Sequence, residues 1–283
     1  MGILLSKSRR NENGFDTISQ YLFSVTGKPK KFDREEENAG LRHNLIRELF
    51  NGNFSSPIRD KLNDGGLMVL DVGCGFGTWV FDMSSDFKKC QYVGVDITPQ
   101  HFIANKPKNV EFVTADITDG LPFSDKSFDF IHIRNLVFDL RDEQWDFLVQ
   151  ECVRVLRPGG YIEITETEMP TKNAGPNMDK LGKKMRNFLS ERKISILIVN
   201  RIEDIMKSNN LQNIVHDERC FPLGTWDSNF RKAFQTFNLE ILRTSLIRFG
   251  SSKDIDSELT NLIAEANKYR SYFSVHRFFS QKI

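Results

Sequence analysis

Between residues 67 and 164, the chain contains short apolar runs of strand length that are separated by polar or helical segments. Because each run is followed by a segment of helical or turn character, the pattern predicts a parallel sheet with helices on both faces. The fold class is therefore expected to be α/β with a doubly wound sheet. The five predicted strands are residues 67–71, 92–96, 110–113, 128–133 and 161–164.

Apolar residues at helical spacing predict the remaining elements. Residues 1–32 are polar and are interpreted as a flexible lead-in, so one domain is expected over residues 33–283. Its first helix begins at residue 33, where an acidic cluster suits the helix dipole. Further helices are predicted at residues 78–86, 99–105, 143–156, 178–190, 194–208, 226–247 and 255–269, with strand candidates at 213–219 and 272–279.

Composition narrows the class of protein. The chain has 283 residues with 39 Lys and Arg against 38 Asp and Glu, a formal net charge of +1. Such a balance provides no global field that would collect nucleic acid. The four cysteines are scattered without a short-spaced pair, which disfavours a disulfide framework and a metal site. No metal is therefore expected.

The first residues match the acylation pattern Met-Gly-x-x-x-Ser/Thr through Gly2 and Ser6, and basic residues follow. One acyl chain with adjacent positive charge can hold a protein at a membrane surface. The alternative is a disordered N-terminus in which Gly2 is incidental. The apolar opening is too short for a secretory signal, so a cytoplasmic location is expected, with membrane tethering through the N-terminus or a nuclear location as alternatives.

A glycine-rich turn follows the first predicted strand and carries the most informative chemistry. It places Asp71 before Gly73, Gly75 and Gly77, so that backbone can approach a ligand closely. A dinucleotide fingerprint requires Gly-x-Gly-x-x-Gly, whereas Thr78 stands at its last position here. The carboxylate of Asp71 suits a cation such as a sulfonium better than a diphosphate.

Two further acids end the next two strands. Asp96 can accept hydrogen bonds from both hydroxyls of a ribose, a contact that NAD would use equally. Asp116 is expected near the amino group of an adenine. Because the ends of successive parallel strands share one sheet edge, these acids are predicted to line one adenosine site.

With these residues the chain resembles the class I S-adenosylmethionine-dependent methyltransferases, and within them a fungal group that includes regulators of secondary metabolism. The family's first motif corresponds to residues 69–77, and later signatures correspond to 121–130 and 155–162. The resemblance implies S-adenosylmethionine as cofactor. It assigns cofactor contacts to Asp71, Gly73, Cys74, Gly75, Gly77, Asp96, Ile97, Asp116, Ile117, Arg134 and Arg42.

The resemblance also implies a Rossmann-like, seven-stranded, mostly parallel sheet in the order 3-2-1-4-5-7-6, with strand 7 antiparallel. Residues 171–210 would then form a helical cap over the substrate. Arg42 and His43, on the first helix, are implied to close over the methionine end of the cofactor.

Methyl transfer from a sulfonium is an in-line displacement, so the enzyme contributes mainly alignment and exclusion of water. His132 is the candidate catalytic base, and the alternative is a packed strand residue. Arg134 suits either the cofactor or the carboxylate of a substrate.

The acceptor is expected to be a small molecule or a protein side chain. Residues 133–136 lack the Pro-Pro-aromatic segment of base-amino methyltransferases, and no Pro-Cys pair is present, so DNA is not an expected partner. The predicted function is methyl transfer from S-adenosylmethionine. The alternative is a regulatory protein that binds the cofactor without catalysis, while an NAD-dependent oxidoreductase is disfavoured by the glycine spacing and by Asp71.

Overall fold

A computed structural model describes residues 31–98, 106–228, 239–250 and 254–283. One sheet forms its centre, and its strands occupy the predicted positions. They are β1 Met68–Val72, β2 Gln91–Asp96, β3 Val110–Thr114, β4 Phe128–Arg134, β5 Leu156–Lys172, β6 Gln212–Pro222 and β7 Tyr272–Gln281. β1 is shifted by one residue, and the other strands are longer than predicted.

The described helices surround this sheet. They are α1 Lys31–Leu49, α2 Arg59–Asp64, α3 Thr78–Asp86, α4 Gln144–Val155, α5 Pro176–Ser190, α6 Val199–Ser208, α7 Leu239–Phe249 and α8 Ile255–Tyr269. In the part of the chain described here, no helix has both the length and the apolar character needed to cross a membrane. The lead-in up to residue 30 and the helix predicted at 99–105 lie outside the described residues.

Two predicted helix starts are wrong. The helix predicted from residue 194 begins only at Val199, because the carbonyl of Ile196 accepts a hydrogen bond from the N–H of Met169 on β5. The helix predicted from residue 226 is not helical at 226–228. There the indole N–H of Trp226 donates to the carbonyl of Ser271, 3.1 Å away, which holds the segment against the end of α8. In both cases a tertiary contact overrides the apolar periodicity.

The strand order is β3-β2-β1-β4-β5-β7-β6, which confirms the predicted topology. Strands β1 to β5 pair in parallel, whereas β7 runs antiparallel to both of its neighbours. The segment 171–210 contains α5 and α6: α5 packs against α7 and α8, while α6 packs against α4 and the β5–β7 side of the sheet.

Alternation along the strands gives each face its own core. Val69 and Phe130 pack with α2 and α3 on one face. Leu70, Ile131 and Ile162 belong to the larger core that also contains residues of α4 and α6. The central strands are apolar on both faces, as parallel strands covered by helices require.

Polar side chains interrupt the first of these faces at one level across three strands. Asp71 on β1, His132 on β4 and Glu163 on β5 are register partners. All three are less than 5% exposed. Such a row of buried ionisable groups is stable only if each group has partners.

Glu163 finds its partners in the loop after α1. Its Oε2 accepts hydrogen bonds from the N–H groups of Ser55 and Ser56, at 2.9 and 2.8 Å, and from the Ser56 hydroxyl at 2.7 Å. Its Oε1 lies 3.3 Å from Nε of Arg277 on β7. The sheet interior therefore holds the loop that follows α1.

Arg277 completes this anchor from β7 and is 1% exposed. It donates to the hydroxyls of Thr165 and Ser55, each at 3.1 Å. Its guanidinium also lies 4.0 Å from the ring centroid of Phe50, directly after α1. A planar guanidinium satisfies this mixed set of hydrogen-bond and ring partners in a way that an ammonium group cannot.

We expect Arg277→Met to lower the free energy of unfolding by about 3 kcal/mol, because it leaves the Glu163 carboxylate buried beside an apolar side chain. Chemical denaturation at neutral pH measures the change. Arg141→Met is the matched control, because Arg141 is half-exposed and its ion pair is with exposed Glu143. This substitution should change the free energy of unfolding by no more than about 0.5 kcal/mol. Equal effects of the two substitutions would contradict the anchoring role of Arg277.

Candidate cofactor site

The turn between β1 and α3 has the backbone that its glycines predict. Gly73, Gly75 and Gly77 have φ values of +67°, +53° and +70°, in the region that favours glycine. The N–H groups of Gly73 and Cys74 both donate to the carbonyl of Val95, at 2.9 and 3.1 Å. The turn is therefore fixed to β2, and its backbone faces the end of that strand.

The three glycines serve different purposes. A Cβ at Gly73 would lie 2.4 Å from a methyl carbon of Leu136, and a Cβ at Gly77 would lie 2.8 Å from the ring of Phe112. A Cβ at Gly75 would meet no described atom within 4 Å. Packing explains the first and last glycine, whereas Gly75 borders open space that a ligand can occupy.

Cys74 contributes its backbone to the turn rather than its thiol. Its Sγ packs against Gly94 of β2, where an added Cβ would approach it to 2.8 Å. Burial raises the pKa of this thiol well above its usual range, and the neighbouring carboxylates of Asp71 and Asp96 raise it further. A neutral, packed thiol has no nucleophilic role here.

Asp96 ends β2 and connects directly to the turn. Its carboxylate accepts the N–H of Gly75 at 2.8 Å through one oxygen and the N–H of Thr98 at 3.1 Å through the other. Burial raises its pKa, against the lowering effect of these N–H groups. Each oxygen keeps a second lone pair for a ligand hydroxyl. The next residue, Ile97, is 48% exposed and offers an apolar surface beside this acid.

Asp116 follows β3 and adds a second acid to the same edge. One of its oxygens accepts the N–H and the hydroxyl of Thr118, at 2.9 and 2.7 Å. The adjacent Ile117 is buried, and the N–H of Ala115 donates to the carbonyl of Asp96 at 3.0 Å. The structure thus brings together the ends of β1, β2 and β3, as the sequence predicts.

Asp71 is 4% exposed and pairs with His132, whose Nδ1 lies 2.7 Å from its Oδ1. Burial raises the pKa of Asp71 to about 7, against the opposing charges of Arg134 and His43. A carboxyl in this state attracts a sulfonium less strongly than the fully ionised group that the sequence suggests. Asp71 lies beside the turn, and its contact with His132 links β1 to β4.

His132 is 1% exposed, and its ring stacks on the indole of Trp79 at a centroid distance of 3.9 Å and an angle of 2°. Burial lowers its pKa well below the usual range, and Arg134 lowers it further. A neutral imidazole enclosed between Trp79 and Asp71 has no exposed nitrogen for a substrate. This placement favours the packed strand residue, the alternative reading of the sequence, over the base.

Arg134 lies two residues beyond His132, at the end of β4, and is half-buried. Its Nη2 lies 3.1 Å from Nδ1 of His43 on α1, and Nε2 of His43 lies 3.1 Å from Asp82 of α3. Burial lowers the pKa of Arg134 to about 10, which leaves it cationic at neutral pH. One cation at the carboxyl end of β4 is therefore linked to both α1 and α3.

Arg42, the neighbour of His43 on α1, is oriented toward the loop after β4. Burial lowers its pKa, and the charge of Asp139 in that loop opposes this effect. The two arginines that the resemblance assigns to the cofactor thus approach the same strand end from α1 and from β4.

Glu166 on β5 is a residue that the sequence analysis missed. It is fully buried and accepts the N–H groups of Leu136 and Val137, at 2.6 and 3.3 Å. It therefore fixes the loop after β4, whose Leu136 closes the space beside Gly73. A glutamate within a buried parallel strand was the available signal, because such a position is normally apolar.

Comparison with known proteins agrees with this geometry. Residues 69–160 match the family model described as a methyltransferase domain. This part of the chain therefore has the sequence of a methyltransferase domain. The methyltransferase motif region therefore runs from β1 into the start of β5, the part that carries the turn, Asp96 and Arg134.

Individual relatives extend the comparison. The secondary metabolism regulator laeA of Coprinopsis cinerea is 28% identical over 163 residues, which is 56% of this chain and 39% of that protein. A fatty-acid O-methyltransferase of Mycolicibacterium smegmatis is 32% identical over 180 residues, 61% of this chain and 62% of that protein. The chain therefore spans less than two thirds of the length of either relative.

Among solved structures, an N-methyltransferase of Haemonchus contortus in complex with phosphomonomethylethanolamine and S-adenosylhomocysteine has the same fold. Its TM-score is 0.52 at 19% identity, with 86% of this chain and 57% of that chain covered.

The residues at this sheet edge fit S-adenosylmethionine. Open space lies at Gly75, a hydroxyl-accepting carboxylate at Asp96, an exposed apolar side chain at Ile97 and a cation at Arg134. In that order, these groups would suit the part of the cofactor that lies against the turn, its ribose, its adenine and its carboxylate. Within the described ranges, no group of three His, Cys, Asp or Glu side chains is arranged to hold a metal ion.

A substitution of Glu166 tests how the loop after β4 is held. Burial raises its pKa to about 8, so the fold favours the protonated form. Its contribution to the free energy of unfolding is complete below the usual glutamate pKa of 4.5 and is lost as the pH rises through about 8. We expect Glu166→Gln, which keeps one acceptor for Leu136, to reduce the loss of stability between pH 5 and 8.

Denaturation curves of wild type and variant across this range measure the difference, whose scale is about 1.4 kcal/mol for each unit of pKa displacement. Glu143→Gln is the control, because Glu143 is 63% exposed and should leave the pH profile unchanged. Parallel profiles for wild type and Glu166→Gln would contradict a raised pKa at Glu166.

Proposed function

We propose that this protein transfers the methyl group of S-adenosylmethionine to a small-molecule acceptor. The observation that carries the proposal is the hydrogen bond between the Gly75 N–H and the Asp96 carboxylate, beside the open space at Gly75. It fixes an acid and an accessible backbone at one sheet edge, which is the arrangement that an adenosine ligand needs.

The proposed mechanism depends on alignment. The cofactor supplies a methyl group already activated by its sulfonium, so the chain's own residues bind, orient and exclude water. Asp96 would accept the ribose hydroxyls, Ile97 would cover the adenine and Arg134 would bind the carboxylate. Because His132 is enclosed, the proton that the acceptor loses would pass to solvent.

The preference for a small molecule rests on the relatives. One of them is named for a fatty acid, and the Haemonchus contortus structure contains phosphomonomethylethanolamine. A protein side chain is the second acceptor class, and a screen of both classes for turnover distinguishes them.

A second candidate function is a regulatory protein that binds the cofactor without catalysis. The enclosed His132 and the similarity to a secondary metabolism regulator favour it. Turnover with any acceptor, measured as formation of S-adenosylhomocysteine above the rate without protein, decides in favour of the enzyme.

We expect calorimetry to show binding of S-adenosylmethionine and S-adenosylhomocysteine, and Asp96→Ala to weaken both by about tenfold or more. The reason is the loss of charge-assisted hydrogen bonds to the ribose. Asp86→Ala is the matched control, because Asp86 is an exposed acid at the opposite end of α3.

NAD serves as the discriminating ligand in the same titration. Binding of NAD as tight as that of S-adenosylmethionine, or no binding of S-adenosylmethionine to wild type, would overturn the proposed function.

We also propose that the protein acts in the cytoplasm and is held at a membrane through acylated Gly2. The pattern from Gly2 to Ser6 and the basic residues Lys7, Arg9 and Arg10 support this, since acyl chain and positive charge act together. A nuclear location is the alternative.

We expect the full chain, co-expressed with an N-myristoyltransferase, to gain the mass of one myristoyl group, and Gly2→Ala to gain none. Intact-mass spectrometry measures both proteins. An unmodified wild-type chain would overturn the tether, because the basic residues alone bind anionic membranes weakly.

A further inference from the structure

We propose that His43 is a positioning residue that aims Arg134 at the carboxylate of the cofactor, and that it does so only as a neutral imidazole. The proposal rests on the proposed function. The observation behind it is the chain of side chains that runs from Arg134 on β4, through His43 on α1, to Asp82 on α3.

The hydrogen-bond chemistry fixes the proton on His43. A guanidinium can only donate, so Nδ1 of His43 must accept from Nη2 of Arg134 at 3.1 Å. The remaining ring nitrogen, Nε2, then carries the proton and donates to Asp82 at 3.1 Å. The ring is thus in one tautomer, and it is 5% exposed.

Asp82 is itself held in place. The same carboxylate oxygen that accepts from His43 also accepts from Nδ2 of Asn53 at 2.8 Å and lies 3.0 Å from Nη1 of Arg47. Burial would raise the pKa of Asp82, but the hydrogen bonds from Asn53 and His43 lower it overall. An ionised, immobilised carboxylate therefore orients the imidazole, as the acid of a carboxylate–histidine pair does elsewhere.

The guanidinium of Arg134 has hydrogen-bond donors that it does not use within the described residues. Among the described residues, its side chain makes one hydrogen bond, the one to His43. The other guanidinium nitrogens are available to a ligand carboxylate. A long arginine side chain loses rotamer freedom when it binds, and a fixed acceptor at His43 removes that cost before the ligand arrives.

Protonation of His43 would reverse the arrangement. Nδ1–H would then face the donating Nη2–H of Arg134, so two cations would meet at hydrogen-bond distance. The charged or titratable groups around His43 are Arg134 and His132 on β4, Asp71 on β1, Asp82 on α3 and Arg47 on α1. Burial and the charge of Arg134 lower the pKa of His43, which protects the neutral form near pH 7.

The test compares His43→Gln with His43→Leu in the full chain. A glutamine amide offers one acceptor and one donor, so it can replace both ring contacts without titrating. Calorimetry with S-adenosylmethionine between about pH 5 and 7 gives the affinity profile. Asp71 and Asp96, whose pKa values are raised by burial, are present in every variant, so only the difference from wild type is attributed to His43.

We expect wild-type affinity to fall on the acid side, His43→Gln to bind like wild type near pH 7 and to keep more of its affinity at pH 5. His43→Leu should bind about tenfold or more weakly at both ends of the range. His216→Gln, at an exposed histidine of β6, is the control and should keep the wild-type profile. A single cooperative unfolding transition in denaturant shows that each variant is folded.

Wild-type affinity from His43→Leu, or an acid-side fall in His43→Gln equal to that of wild type, would overturn the positioning role while leaving the proposed function standing. Absence of S-adenosylmethionine binding to wild type at every pH would overturn both.

Discussion

The structure depends on a row of buried ionisable side chains that crosses one face of the sheet. Asp71, His132 and Glu163 are register partners on β1, β4 and β5, and Arg277 of β7 pairs with Glu163. Buried charges are costly unless each is satisfied, so this row demands the particular loop and helix that supply its partners. Apolar packing is non-directional and does not by itself specify where α1 and its loop lie, whereas the hydrogen bonds and ion pairs of the row are directional.

These contacts also affect the cofactor site, because they fix the position of α1. The loop after α1 is held by Glu163 and Arg277, and the middle of the helix is held by the contacts of His43 with Asp82 and Arg134. Fixed at these points, α1 presents His43 to the strand end where a ligand carboxylate would bind. Stability and ligand recognition therefore share the same side chains, so substitutions in the row are expected to affect both.

Much of this architecture could be predicted from the sequence, because apolar runs and a glycine-rich turn are local signals. The strand order followed from resemblance, and the edge formed by Asp96 and Asp116 followed from the positions of strand ends. The contacts of Asp82, Glu166 and Arg277 could not be predicted, since each joins segments far apart in the chain. The sequence left His132 open between a base and a packed strand residue, because its cover, Trp79, comes from another element.

The most direct measurement is a crystal structure of the protein with S-adenosylhomocysteine. We expect ribose hydroxyls on the carboxylate of Asp96, backbone contact at Gly75 and the ligand carboxylate on Arg134, with Arg134 still donating to Nδ1 of His43. A ligand bound away from the ends of β1 and β2, or an Arg134 turned away from both the ligand and His43, would contradict it.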